Sequence, residues 1–178
     1  MRRASTLEDR PLRPPLPCAP ASRGFTIIEM MTTLAVLAIL ATIAAPSLSN
    51  LVRDQRVKTA TFDVYASLVF ARSEAIKRNA DIDVAPSGAD WAAGWEVRVQ
   101  SDGTVLKRQD ALPGMSIATP AGTVTYRRDG RISGGAVPIL VVKSAESNSI
   151  TARCVLIDLS GRPNIKVDTN QDASDGCQ

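Results

Sequence analysis

Three regimes of hydrophobic patterning follow one another along the chain. Residues 1–24 alternate prolines with arginines and show no periodicity; Pro11, Pro14, Pro15, Pro17 and Pro20 fall within ten positions. Proline fixes φ and removes a backbone donor, so no helix persists there. From Phe25 to Ala45 the chain is almost continuously apolar, with Glu29 its one charged residue. At 1.5 Å per residue these positions make a helix of roughly 31 Å, about the hydrocarbon thickness of a bilayer. Beyond Pro46 the pattern becomes amphipathic. Val57, Thr61, Val64, Leu68, Ala71 and Ala75 recur at steps of four and three, and neither proline nor glycine interrupts Leu48 to Arg78. This spacing predicts a helix to about Asn79, bent at Pro46, whose second half packs on a globular domain. The charges of its last turns, Arg72, Glu74, Lys77 and Arg78, read as a solvated helix end.

After Asn79 the period falls to that of short strands. Candidates are 81–85, 94–101, 104–109, 115–119, 123–128, 137–143, 149–159 and 164–167, punctuated by Asp102-Gly103, Asp129-Gly130, Pro113-Gly114 and Ser160-Gly161. Glycine accepts the positive φ that tight turns require. The predicted fold is α+β: one long N-terminal helix on a C-terminal antiparallel β domain. Four segments follow, at 1–24, 25–45, 46–79 and 80–178. Trp91 and Trp95 read as core packing beneath a loop, and Asp81 and Asp83 as a solvated strand face.

Composition removes most chemistry. The 178 residues contain no histidine and 4% aromatics. Histidine-based triads and His-ligated zinc are excluded, and an aromatic platform for single-stranded nucleic acid is disfavoured. No paired carboxylates, activated serine or phosphate-binding glycine loop is recognisable by spacing, so an enzyme is disfavoured and no cofactor is implied. Cysteines at 18, 154 and 177 lack metal-ligand spacing. Of 21 basic and 18 acidic residues, five and two lie in the first 24 positions, so the remainder is balanced. Positive charge ahead of an apolar span keeps the N-terminus cytoplasmic and exports the rest. An ordinary signal peptide explains the run poorly, because helical pattern continues past it. An uncleaved anchor leaves Glu29 unexplained, at about 2.5–3.5 kcal/mol inside a bilayer. A carboxylate retained there implies a partner, and a freed amine on Phe25 would serve.

The segment Arg23-Gly24-Phe25-Thr26-Ile27-Ile28-Glu29 resembles the processing motif of type IV pilins and pseudopilins. The resemblance implies prepilin peptidase as a partner, cleaving between Gly24 and Phe25 and N-methylating Phe25. It implies that Glu29 pairs with the amino terminus of a neighbouring pilin or pseudopilin, and that Pro46 is the family's helix-bending proline. The strings Ala71-Arg72-Ser73-Glu74-Ala75-Ile76-Lys77-Arg78-Asn79, Val124–Gly135 and Cys154–Arg162 resemble the GspH/FimT branch. That branch implies an inner-membrane single-pass subunit with a periplasmic domain, residing in a pilus or pseudopilus after assembly.

Export would carry Cys154 and Cys177 to an oxidising compartment, without Cys18. A disulfide between them is preferred over one buried and one exposed thiol. Some FimT-type pilins bind DNA through Gly-Arg-x-Arg. Here Gly161-Arg162-Pro163-Asn164 lacks the second arginine. Lys166, Arg153, Arg127, Arg128 and Arg131 are the cations available to extend a patch. The alternative for Arg162 is a turn residue with no ligand. A type II secretion pseudopilin would share the same design.

Overall fold

The computed structural model describes residues 24–119, 122–134, 138–169 and 177. The leader with Cys18, the Pro120-Ala121 turn, Val137 and most of the C-terminal tail lie outside the described residues. The chain divides into two compact units, 1–41 and 42–178.

The first unit is the start of helix α1, Ile27–Arg78. Thr26 caps it: its Oγ1 accepts the Glu29 N–H at 3.2 Å. Thr26-Ile-Ile-Glu29 has the spacing of a capping box, which places an acid where the helix dipole favours it. The Thr32 and Thr33 hydroxyls donate to the Glu29 and Met30 carbonyls at 3.0 and 2.9 Å. Hydroxyls bonded within the helix in this way remain compatible with lipid.

Among the described residues, the second unit holds the rest of α1 and eight strands: β1 Ile82–Pro86, β2 Trp95–Val99, β3 Val105–Gln109, β4 Met115–Ala118, β5 Val124–Tyr126, β6 Ile139–Ser144, β7 Ala152–Ile157 and β8 Pro163–Asp168. Each falls on a predicted run. They form two four-stranded antiparallel sheets, ordered β3-β2-β1-β5 and β4-β6-β7-β8. All six residues of the predicted helix stripe are buried, and the five apolar ones join Val84, Val97, Ile117, Leu140 and Val155 of both sheets in one core. Burying a side chain such as Leu68 completely is worth about 1.5–3 kcal/mol. Trp91 and Trp95 lie in this core, with ring centroids 6.1 Å apart. A smaller apolar cluster of Val141, Ala152, Cys154 and Cys177 covers the other face of the second sheet.

The helix closes at Asn79, which adopts φ 51°. The Ala80 N–H reaches the Ala75 carbonyl at 3.2 Å and the Asn79 N–H reaches Ile76 at 3.3 Å. This is a Schellman closure with asparagine in the left-handed position.

Two expectations are corrected. Asp83 is buried, not solvated: β1 is an inner strand, and the Asp83 carboxylate accepts from Thr125 Oγ1 at 2.7 Å and Gln100 Nε2 at 3.3 Å. The last turns of α1 are not simply a solvated end. Glu74 is buried and pairs with both Arg78 and Lys77. The Arg78 hydrogen bond, and after it Lys77, holds its carboxyl below the ordinary range.

Candidate functional site

The segment expected to be processed is accessible. Gly24 and Phe25 are exposed, and a Cβ at Gly24 would meet nothing within 4 Å. Every described side chain from Gly24 to Val52 is exposed, including Ile27, Ile28, Leu34, Leu37, Leu40 and Ile43. Helix α1 is long and apolar enough to cross a membrane. It passes unbroken through position 46. The cap at Thr26 engages the Glu29 backbone N–H, a local contact that sequence reasoning overlooked, though Thr-x-x-Glu before an apolar run was its signal.

The three strings that resemble pilin-like domains meet at Gly130. Arg72 Nε of α1 donates to the Gly130 carbonyl at 3.1 Å. Ile76, one turn on, lies where a Gly130 side chain would project, at 2.7 Å from a Cβ there. Gly161 approaches the same carbonyl from the β7–β8 turn. Arg72 is therefore a docking residue between the helix and a turn. Beside it Tyr126 is fully buried, and that burial pushes its phenol far above the ordinary range.

This junction sets Arg131 and Arg162, each following one of the two glycines, on one open groove of about 870 Å³. Lys166, Asn164 and Asp158 share its lining. Asp158 anchors the β7–β8 turn, accepting from Ser160 Oγ at 2.6 Å and from the Arg162 N–H at 2.8 Å. The Ser160 hydroxyl and then the Arg162 N–H hold its carboxyl below the usual range.

The remaining candidate cations do not converge there. Arg127 pairs with Asp129 at 2.6 Å, and Arg128 lies 4.0 Å from Asp81. Arg153 sits on β7 in alternation with Cys154, on the face that Val155 and Ile157 turn to the main core. Lys166 pairs in register with Cys154 and projects from the opposite face. Cys154 and Cys177 are joined in a disulfide with Cα atoms 6.2 Å apart.

Comparisons with known proteins agree with this architecture. Residues 60–161 match the family described as type II transport protein GspH, and residues 20–45 match the prokaryotic N-terminal methylation motif. No curated protein is matched. Two crystal structures of the type IV minor pilin FimU of Pseudomonas aeruginosa share the fold. One is 19% identical with a TM-score of 0.56, spanning 70% of this chain and 96% of that one. The other is 20% identical with a TM-score of 0.54, spanning 68% and 99%. The minor pseudopilin EpsH of the Vibrio cholerae type 2 secretion system is 14% identical over 63% of this chain and 95% of its own, with a TM-score of 0.49. With more than half its length inside one family and the methylation motif at its apolar start, this chain belongs to the family of type II transport protein GspH, pilin-type structural subunits and not enzymes.

Proposed function

We propose that this chain is a minor pilin. Prepilin peptidase cleaves it between Gly24 and Phe25 and N-methylates Phe25; the subunit then leaves the inner membrane to prime or join a type IV pilus. The supporting observation is an apolar helix whose described side chains are all exposed from Gly24 to Val52, with one carboxylate near its start. In lipid such helices associate by packing and by satisfying polar groups, not by expelling water. Glu29 supplies the polar term. Its carboxylate meets the ammonium of Phe25 on an adjacent subunit, which offsets the cost of holding a charge in hydrocarbon and sets the axial register of the two helices. The β domain then stands outside the helical bundle. Pro46, which lacks the N–H of a regular helical residue, is the point where the assembly segment gives way to the domain-packing segment.

The Gly161-Arg162 turn and the C-terminal disulfide favour the pilus over the type II secretion pseudopilus, where the same helix design would operate. Shearing and purifying the fibre fraction tests the reading. The mature chain, beginning at Phe25, should co-purify with pili. A deletion strain that retains exported proteins while keeping pilus function would assign it to secretion instead.

A second reading rests on the groove beside Gly161. Arg131, Arg162 and Lys166 present three cations to one surface, the arrangement a phosphate backbone requires. DNA capture through these three residues fits the pilus assignment. Arg127, Arg128 and Arg153 are not included in that surface.

A further inference from the structure

The cationic groove beside Gly161 holds one side chain that phosphate binding does not explain. Leu159, at the tip of the β7–β8 turn, lines it together with Arg131, Arg162 and Lys166. It is 51% exposed, more than any other large apolar residue described beyond α1. The turn has no need of a leucine there. Its hydrogen bonds run among the neighbours: the Asp158 N–H donates to the Arg162 carbonyl at 3.1 Å, and the Gly161 N–H to the Asp158 carbonyl at 2.8 Å. The Ser160 hydroxyl and the Arg162 N–H both donate to the Asp158 carboxylate. Residues favoured in turns bond the backbone or accept positive φ, and leucine does neither. The same bonds, with Gly161 seated on the Gly130 carbonyl, fix the tip from both sides.

Asn164 is the second unexplained residue. It shares the groove lining and stands where the Gly-Arg-x-Arg motif has its second arginine. An arginine would add a charge for phosphate. An amide instead offers N–H donors suited to a base edge. In the minor groove of DNA those edges present adenine N3 and thymine O2 as acceptors, and guanine adds an obstructing N2 amino group.

We propose that this surface engages the minor groove of duplex DNA, with Leu159 wedged between base steps and Asn164 donating to adenine N3 or thymine O2, so that binding kinks the duplex and favours A·T-rich sequence. The inference rests on the reading of the groove as a DNA surface. Proteins that bind the minor groove combine Arg, Lys and Asn contacts with an inserted apolar side chain, leucine among them, and kink the duplex by roughly 20–90°. Arg131, Arg162 and Lys166 supply the charge, Asn164 the base-edge donor and Leu159 the wedge. A minor groove about 6 Å wide excludes a helix and suits a narrow turn tip such as Leu159-Ser160. Asp158 also lines the surface, but its carboxylate is engaged by the turn and turned to holding Arg162 in place.

The test uses the detergent-solubilised full chain and short duplexes labelled at both ends, so that one titration reads affinity and end-to-end distance. A duplex with an A·T-rich centre should bind about tenfold more tightly than a G·C-rich one and should shorten end to end. Replacing guanine by inosine, which removes only the 2-amino group, should restore binding to the G·C-rich sequence. Leu159→Ala should abolish the shortening and weaken A·T-rich binding about tenfold, with the slope of log affinity against log salt retained because no cation is lost. Leu159→Phe should keep the bend, and Asn164→Ala should level the A·T and G·C affinities. Equal affinity for the two duplexes, DNA that stays straight when bound, or a Leu159→Ala variant that bends DNA like the unsubstituted chain overturns the wedge and leaves the DNA reading standing. No binding to any duplex at low salt removes the DNA reading itself, and the wedge with it.

Discussion

Gly161 packs its α-carbon against the carbonyl of Gly130, so closely that a Cβ on Gly161 would lie 2.1 Å from that oxygen. Gly161 also holds φ 79°, a conformation that L side chains rarely adopt. The contact joins the turn after β5 to the turn after β7, and Arg72 ties the helix to the same carbonyl. Gly161→Ala should cost at least about 2 kcal/mol in a urea titration, combining backbone strain with steric displacement. Gly103→Ala is the control. It has φ 72° but nothing within 4 Å of its would-be Cβ, and should cost only about 1 kcal/mol.

Both turns at this junction are held by ionised carboxylates. Asp158 is depressed by the Ser160 hydroxyl and then the Arg162 N–H, and Asp129 by the Arg131 N–H and then the Arg127 side chain. A carboxyl lowered in the folded state contributes stability above its unfolded value, near pH 3.9 for aspartate. That contribution is lost as pH falls from there through the depressed folded value. Thermal unfolding should therefore show a loss of stability below about pH 4. In Asp158→Asn the loss should be smaller, because that residue no longer titrates.

The Cys154–Cys177 bond spans a sequence separation of 23. On the chain-entropy account it contributes about 3 kcal/mol by restricting the unfolded ensemble. Denaturant titration of oxidised against reduced chain should recover a difference of that size.

For the cationic groove, Arg162→Ala and Arg131→Ala should each weaken binding of duplex DNA at low salt. Each should also reduce the slope of log affinity against log salt by about 0.9, the value for one phosphate contact. Arg153→Ala, on the core-facing side of β7, should leave that slope unchanged. Equal effects from all three variants would remove the groove as a DNA surface.

Much of this architecture was legible before any coordinates. The stripe from Val57 to Ala75 is a local signal, and all six of its residues are buried. The strands were legible for the same reason, since period-two alternation and glycine turns are written within a few residues. Partition into two sheets was not. β1 pairs with β5, joining Val84 to Val124, while β4 pairs with β6 and not with its neighbour β5. Those pairings depend on long-range closure, which no local pattern encodes. Asp83 was misread for that reason: its burial comes from strands on both sides. Arg72 was also misread, because its acceptor is a carbonyl 58 positions away in sequence. The Thr26–Glu29 cap is local too, written in the Thr-x-x-Glu spacing.

The most direct measurement concerns the charge on Glu29, separated from its local role in the cap. Glu29→Gln keeps a residue suited to the capping box and removes only the negative charge. With the mature N-terminus verified by mass, the amount of this variant in sheared, purified fibres should fall to background while its level in the inner membrane is unchanged. Incorporation equal to that of the unsubstituted chain would contradict the pairing of this carboxylate with a neighbouring subunit's amino terminus.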